Sequence, residues 1–456
     1  MADSKLTEAL RDATDTEDVL VGAGVLFSVE EVFANNFGDR AAVLVADENT
    51  MRVAGDQVRQ SFEAAGRTHE EPYVFPGAPT LYAEYANIEQ LRDALRGRDA
   101  IPVAIGSGTL NDIAKRAASE LGFPYMNVAT AASMDGYTAF GASIAKDGYK
   151  QTLSCPAPKA VLADLDVLTG APARMTASGH ADLLGKVPAG ADWMLADGLG
   201  AEAIAPQPWS LVQDELRHAI GRPADLQAGD RDAMRGLIDG LFLSGLAMQG
   251  HQSSRPASGA EHQFSHLWEM EGLGHSHGED PPLSHGFKVG LGSIAMAALY
   301  ELMLARDLTQ IDVEARRAAW PGLEEVERRV RAAHRPELAD AFVVESQAKY
   351  IDADALVQRL ERLKEAWPDL RERVRGQLMP AVELRDNLRA AGCPTTPGEI
   401  GLSMEDFRAT YARAQMIRRR YTVLDLMTET GLLQELVEEL FAPGGFWTRE
   451  GAAATA

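Results

Sequence analysis

In the first 130 residues short apolar runs alternate with amphipathic stretches, and this rhythm constrains the fold more than any other feature of the chain. AAVLVAD at 41–47 is followed by VAGDQVRQSFEAAG, IEQLRDALRG by IPVAIG at 101–106, and DIAKRAASELG by YMNVAT at 125–130. Strand, helix and strand in that order predict a parallel sheet with helical crossovers. A further apolar run, APKAVLADLDVL at 157–168, leads into TGAPARM, whose Gly, Pro and Ala suit a crossing point and place a domain boundary near residue 170. Beyond it β-branched runs become scarce, and Ala, Leu, Glu and Arg recur at helical spacing in RDAMRGLIDGLFLSGLAMQ, VGLGSIAMAALYELML and ALVQRLERLKEAW. The expected architecture is an α/β domain with a parallel sheet over 1–170, followed by an all-α domain over 171–456. The 456 residues have room for two large domains of this kind.

Charge limits the partners. Lys and Arg total 44 against 67 Asp and Glu, a net charge of −23, and such a field repels a phosphate backbone and an anionic lipid surface. Nucleic acid is therefore not an expected partner. An anionic small substrate would need a local cation, a metal ion or a helix N-terminus to overcome the same field. The first twenty residues are acidic and hold no apolar core of signal-peptide length, so the expectation is a cytoplasmic protein without membrane insertion. Only Cys155 and Cys393 are present, too few for a disulfide framework, so a bound metal would take His and carboxylate ligands.

The run IPVAIG passes directly into Gly106, Ser107, Gly108, Thr109, Leu110, Asn111 and Asp112 and then into a helical stretch. A Gly turn opening a helix presents backbone N–H groups to an anion such as a pyrophosphate. Asn111 stands where the third Gly of a dinucleotide loop would be, so a plain capped turn fits the segment as well. Asp47, at the end of AAVLVAD, is placed either to accept hydrogen bonds from an adenosine ribose or to cap the next helix. It precedes the Gly loop by about sixty residues, the reverse of the ordinary dinucleotide order. The stretch Thr130, Ala131, Ala132, Ser133, Met134 and Asp135 comes after the next strand, and its polar groups can hold a ribose, a nicotinamide or a polyol, or simply make a turn.

Six of the ten histidines, His251, His262, His266, His275, His277 and His285, fall between residues 251 and 285. His262 and His266 share a helix face, and His285 opens the apolar stretch FKVGLGSIAMAALYE. Two imidazoles from neighbouring helices can meet at one ion, and Asp182 in ASGHADLLGK, with His180 two residues earlier, is the carboxylate candidate. His275 and His277, in GLGHSHGEDPP, read as surface residues of a loop.

In this order, GSGTLND, TAASMDG, SGHADLLGK, SGAEHQFSH, SHGFKVGLG and RRRYTVLDL resemble the sn-glycerol-1-phosphate dehydrogenase family, its bacterial branch most of all. That family lies within the iron-containing alcohol dehydrogenase and dehydroquinate synthase superfamily. The resemblance runs from about residue 20 to about 440. It implies a dehydroquinate synthase-like fold, NAD(H) or NADP(H) on the N-terminal sheet, and one divalent ion (zinc, nickel or iron) in the cleft before the helical domain. Carried over motif by motif, Asp182, His262 and His285 are metal ligands and His266 and Asp135 face the substrate. Gly106 and Gly108 to Asp112, Thr130 to Ser133, and Asp47 contact the cofactor.

The implied reaction exchanges a hydride between dihydroxyacetone phosphate and glycerol 1-phosphate, with His266 passing a proton and Asp135 orienting hydroxyls. Asp182 is placed beside the same substrate. Arg255 and Lys288 are the candidates for holding its phosphate, and Glu48 beside Asp47 argues for NAD over NADP. Ala139 departs from the family's usual Ser. The long segment from about 310 to 400 suggests subunit contact, in keeping with a homodimer or higher homo-oligomer. The competing readings are a glycerol or other polyol dehydrogenase, a dehydroquinate synthase-type lyase, and a metal- or nucleotide-binding protein without catalysis.

Overall fold

The computed structural model describes residues 2–146, 149–274 and 283–453. Among the described residues there are eight strands: β1 (Asp18–Gly22), β2 (Ala41–Asp47), β3 (Tyr73–Phe75), β4 (Ala100–Gly106), β5 (Met126–Ala129), β6 (Ala142–Lys146), β7 (Tyr149–Leu153) and β8 (Ala160–Asp164). Six of them form one parallel sheet in the order β1-β8-β5-β4-β2-β3, and β6 and β7 pair as an antiparallel hairpin. The sheet is buried on both faces, which is why its strands read as unbroken apolar runs. Ala42, Leu44 and Ala46 pack with Phe33 and Phe62 on one side, and Val43 and Val45 pack with Ile88, Leu91 and Ile113 on the other.

The run at 157–168 behaves differently from its expectation. Only its middle is a strand, because the Asp164 side chain accepts from the N–H of Asp166 and starts a short helix, Leu165–Thr169. The same carboxylate accepts from Gly24 and Leu26, tying the turn after β1 to the end of β8. The edge strands β1 and β3 and the hairpin were not anticipated, being short or only partly buried.

The helices that shape the site are α1 (Gly108–Leu121), α2 (Ala173–Leu184), α3 (Lys186–Gly198), α4 (Arg231–His251), α5 (Ala260–Met270), α6 (His285–Leu304), α7 (Pro336–Lys349) and α8 (Val423–Thr430). Among the described residues α6 is the one helix long and apolar enough to cross a membrane. It is instead a core helix packed between α2 and α5, with 83% of its most apolar stretch buried inside the protein. Ala129, Val161 and Ala163 of the sheet share a core with Leu183, Leu241, Phe264 and Ile294 of these helices.

The chain leaves β2 for the edge strand β3, returns to lay β4 on the other side of β2, and then moves outward through β5 and β8. The carboxyl ends of β2 and β4 therefore flank a topological switch point, the crevice where open α/β sheets receive ligands. This explains how Asp47 can precede the Gly loop by some sixty residues and still be its neighbour: it ends the adjacent strand.

Candidate active site

A cleft of about 1710 Å³ opens at those carboxyl ends. Its sheet side is formed by Asp47, the segment from Ser107 to Leu110 with Asp112, and Thr130, Ala131 and Ser133. Ser107 caps α1 with no side-chain hydrogen bond, so the first N–H groups of that helix stay available to an anion. The Asp47 carboxylate accepts from the N–H groups of Asn49 and Thr50, so it caps the next helix while still bordering the cleft.

The loop after β5 brings Asp135, and the helical side Asp182, His262, His266 and His285, to the same cleft. Two glycines make the approach possible. A Cβ on Gly179 would stand 2.0 Å from the Ala132 carbonyl oxygen, and one on Gly286 would stand 1.9 Å from that of Ser178. Any side chain at either position would force α2 away from the loop bearing Ser133 to Asp135, or α6 away from α2.

The ligand atoms of Asp182, His262 and His285 all lie within 4.8 Å of one another. His262 Nε2 is 3.5 Å from Asp182 Oδ1, close to the roughly 3.4 Å expected between two ligand atoms on a tetrahedral ion with bonds of about 2.1 Å. Each imidazole is oriented from behind. His262 Nδ1 lies 2.7 Å from Glu261 Oε1, and His285 Nδ1 lies 2.9 Å from Glu269 Oε1 and 3.2 Å from Ser265 Oγ. With Nδ1–H directed at a carboxylate, the lone pair of each ring sits on Nε2, the arrangement that metal-bound histidines use. The donor set therefore fits a divalent ion.

Lys186 Nζ lies 2.8 Å from both Asp182 Oδ1 and Asp135 Oδ2. Burial, the largest influence, would raise the Asp182 carboxyl, but Lys186 and the two imidazoles outweigh it and hold Asp182 well below the usual carboxylate range. The same pairing raises Lys186 against its own burial. Ser244 Oγ donates to Asp135 Oδ2 at 2.8 Å, and the Asp135 N–H donates to Asp182 Oδ2 at 3.1 Å, so the two acids form one network. Behind the loop, the buried Lys115 donates to the carbonyls of Gly136, Ala139 and Gly141. Burial, and then the Arg418 charge against the opposing Glu269 contact, push His266 down to about 3, which leaves it neutral.

Comparison with known proteins places this geometry. Residues 20–172 match the iron-containing alcohol dehydrogenase family. The chain is 30% identical over 419 residues to glycerol-1-phosphate dehydrogenase [NAD(P)+] of Bacillus subtilis, covering 91% of this chain and 92% of that one. The chain belongs to the glycerol-1-phosphate dehydrogenase family. The enzyme of the same name from Halalkalibacterium halodurans is 38% identical over 259 residues, a match covering 57% of this chain and 64% of that enzyme. In fold, the chain resembles glycerol dehydrogenase from Schizosaccharomyces pombe, with a TM-score of 0.60 at 16% identity over 96% of this chain and 92% of that one.

Several residues expected at the site of this glycerol-1-phosphate dehydrogenase family member lie elsewhere. Gly106, Asn111 and Ala132 do not line the cleft. Gly106 packs over Leu110, where a Cβ would have no room, Asn111 is buried between Tyr125 and the Gly136 carbonyl, and Ala132 is covered by Gly179. Glu48 turns aside to accept from the Gly77 N–H, so of these two neighbours only Asp47 lines the cleft. His180 pairs with Asn387 away from the Asp182, His262 and His285 cluster, and burial lowers it to about 4. Arg255 is 1% exposed and committed to the Tyr421 and Asp192 carbonyls and to Glu202, so it holds the helical core together rather than a phosphate. Lys288 does border the cleft, paired with Glu269. His275 and His277 lie outside the described residues.

Sequence reasoning missed Lys186, Glu261, Glu269, Ser244 and the arginines at 418–420. Lys186 stands four residues after Asp182 on one helical face across Gly185, and Glu261 and Glu269 flank the histidines in SGAEHQFSHLWE, so spacing carried a signal for these three. Arg418 stands in RRRYTVLDL, a motif that carried the resemblance without marking which arginine lines the cleft, and Ser244, from a different part of the chain, left no signal.

Proposed function

We propose that this chain interconverts dihydroxyacetone phosphate and sn-glycerol 1-phosphate. It uses NAD(H), or alternatively NADP(H), and one divalent ion (zinc, nickel or iron) held by Asp182, His262 and His285. In this reading residues 1–170 hold the cofactor and 171–456 the ion and substrate, in a cytoplasmic homodimer or larger homo-oligomer without membrane insertion. The observation that carries the reading is the Asp182, His262 and His285 cluster on the same cleft as the open N-terminus of α1.

When bound, the nicotinamide carries the hydride, and the divalent ion draws electron density from the oxygen on the reacting carbon. The chain's own groups do the rest. Glu261 and Glu269 fix the tautomers of His262 and His285, keeping both Nε2 lone pairs turned inward. Ser244 and Lys186 occupy Oδ2 of Asp135, leaving Oδ1 to accept from a substrate hydroxyl. His266, held neutral by burial, relays a proton to the reacting oxygen, giving it from one ring nitrogen and regaining it at the other. The Asp47 carboxylate accepts from the ribose hydroxyls and repels a 2′-phosphate, which favours NAD.

The test is NADH absorbance with dihydroxyacetone phosphate or dihydroxyacetone, before and after chelation and on re-adding each metal. Metal-dependent oxidation confined to the phosphorylated ketone, yielding the sn-1 product, is the expected result. Equal use of the unphosphorylated ketone moves the chain to polyol oxidation, and no consumption of NADH or NADPH with either sinks the reading.

A further inference from the structure

The motif RRRYTVLDL sets three arginines side by side, and the structure gives each a different fate. Arg419 is spent on Glu345, with its Nη2 at 2.7 Å from Oε1 and its backbone N–H at 2.9 Å from Oε2. Arg420 is spent on neutral oxygens, donating to Ser258 O and Oγ at 2.8 and 2.7 Å and to Ser254 Oγ at 2.8 Å. The Arg418 side chain, among the described residues, makes no hydrogen bond and no ion pair. It borders the cleft together with His266, near enough for its charge to act on that imidazole.

Of the other cations near the reaction centre two are committed, while Arg174, which also lines the cleft, is exposed at the start of α2. Lys186 lies between Asp135 and Asp182, and Lys288 lies on Glu269. In a chain of net charge −23, a dianionic substrate needs a cation with free donors, and a guanidinium offers two parallel N–H groups matched to phosphate oxygens. Resting on the function proposed above, we propose that Arg418 is the receptor for the substrate phosphate.

The segment carrying it is built to stay in place. Ile417 is buried, Ser346 Oγ of α7 donates to the Met416 carbonyl at 2.8 Å, and Lys349 of α7 donates to that of Gln415. Glu345, also on α7, fixes Arg419, while Gln415 Nε2 donates to Asp425 Oδ1 of α8 at 2.8 Å. Residues on both sides of Arg418 are thus fixed while its own donors remain unused, so little ordering cost is left to the substrate. This gives the segment from 310 to 400 a role at the site: its helix α7 braces the phosphate receptor. The cofactor's pyrophosphate is served separately at the N-terminus of α1, on the sheet side of the cleft.

Arg418→Gln and Arg418→Lys test the assignment through steady-state constants with dihydroxyacetone phosphate, dihydroxyacetone and NADH. Loss of a charge-assisted pair predicts that the kcat/KM ratio of phosphorylated to unphosphorylated ketone falls about 10- to 100-fold in Arg418→Gln. The loss should appear in the KM for dihydroxyacetone phosphate, with partial recovery in Arg418→Lys. An unchanged ratio, an equal change in the KM for NADH, or transfer of the effect to Arg174→Gln, the exposed cation at the start of α2, overturns the proposal. A second measurement is independent of turnover: with NADH saturating the site at the N-terminus of α1, inorganic phosphate should raise the thermal midpoint of the unsubstituted protein and not that of Arg418→Gln. Equal shifts in both refute the receptor, whereas a wild-type enzyme that ignores dihydroxyacetone phosphate refutes the proposed reaction and leaves this phosphate measurement to decide Arg418 by itself.

Discussion

Replacing Glu261 by Gln should weaken the metal site without weakening the fold, and the two effects can be worked out separately. Glu261 Oε1 lies 2.7 Å from His262 Nδ1 and accepts the Gly259 N–H at 2.6 Å, while Oε2 is buried with no hydrogen-bond partner among the described residues. A Cβ on Gly259 would lie 2.8 Å from that Oε2 and 2.5 Å from Asp192 Oδ2, so two fully buried carboxyl groups crowd one glycine. The crowding is felt by Asp192, which burial first and Glu261 second raise to about 7, despite bonds from Tyr300, Ala260 and Val423. The amide keeps the shape of Glu261 and its bond to the imidazole but removes the charge that makes the ring basic. Loss of such a partner typically costs 10- to 100-fold in metal affinity, or about 1.4–2.8 kcal/mol. The new NH2 group can meanwhile donate toward Asp192, so the metal-free protein should be at least as stable as before. The assay is competition of the apo-protein with a chromogenic chelator for zinc, alongside metal-free denaturant unfolding. An unchanged zinc Kd, or a loss of apo stability as large as the loss of binding energy, would refute the orienting role.

Other substitutions test the same network from different sides. With Asp192 raised to about 7 in the folded protein and near 4 unfolded, the native state keeps a proton that the unfolded chain has already released between those values. Its contribution to stability is therefore full below about pH 4 and is lost as pH rises through 7, with a slope of up to about 1.4 kcal/mol per pH unit. Asp192→Asn should remove that slope from the metal-free thermal midpoint, and parallel pH profiles for the two proteins would contradict it. Lys186→Met leaves the buried Asp182 and the part-buried Asp135 without their shared cation, and the metal-free protein should lose about 3–5 kcal/mol. Loading zinc should restore part of this, because the ion takes over Asp182. An equal loss with and without zinc, read from denaturant midpoints, would show that Lys186 acts only on the fold.

Much of this was legible in the residues because it is local. AAVLVAD is strand β2 to the residue, since an unbroken apolar run ends at an acid that caps the next helix. His262, His266 and His285 could be grouped because helical spacing and the start of an apolar helix are written in adjacent residues. The Gly loop was located in the same way, although which of its members face the cleft depends on helix packing: Gly108 does and Asn111, three residues on, is buried.

The sequence by itself determined the alternation of strands and helices, the shift to helix after residue 170, and the types of residue able to hold a metal. Only the tertiary structure decided how they are used. The sequence offered Arg255 and Lys288 as holders of a phosphate, but packing sent Arg255 into the core on backbone carbonyls and left Arg418 in the cleft with no hydrogen bond among the described residues. It also put Lys186 against an acid 51 residues earlier in the chain and made α7 the support of a loop some seventy residues later. The reason is physical: periodicity and capping act over a few residues, whereas neutralising a buried charge depends on which distant side chain the fold brings within 3 Å.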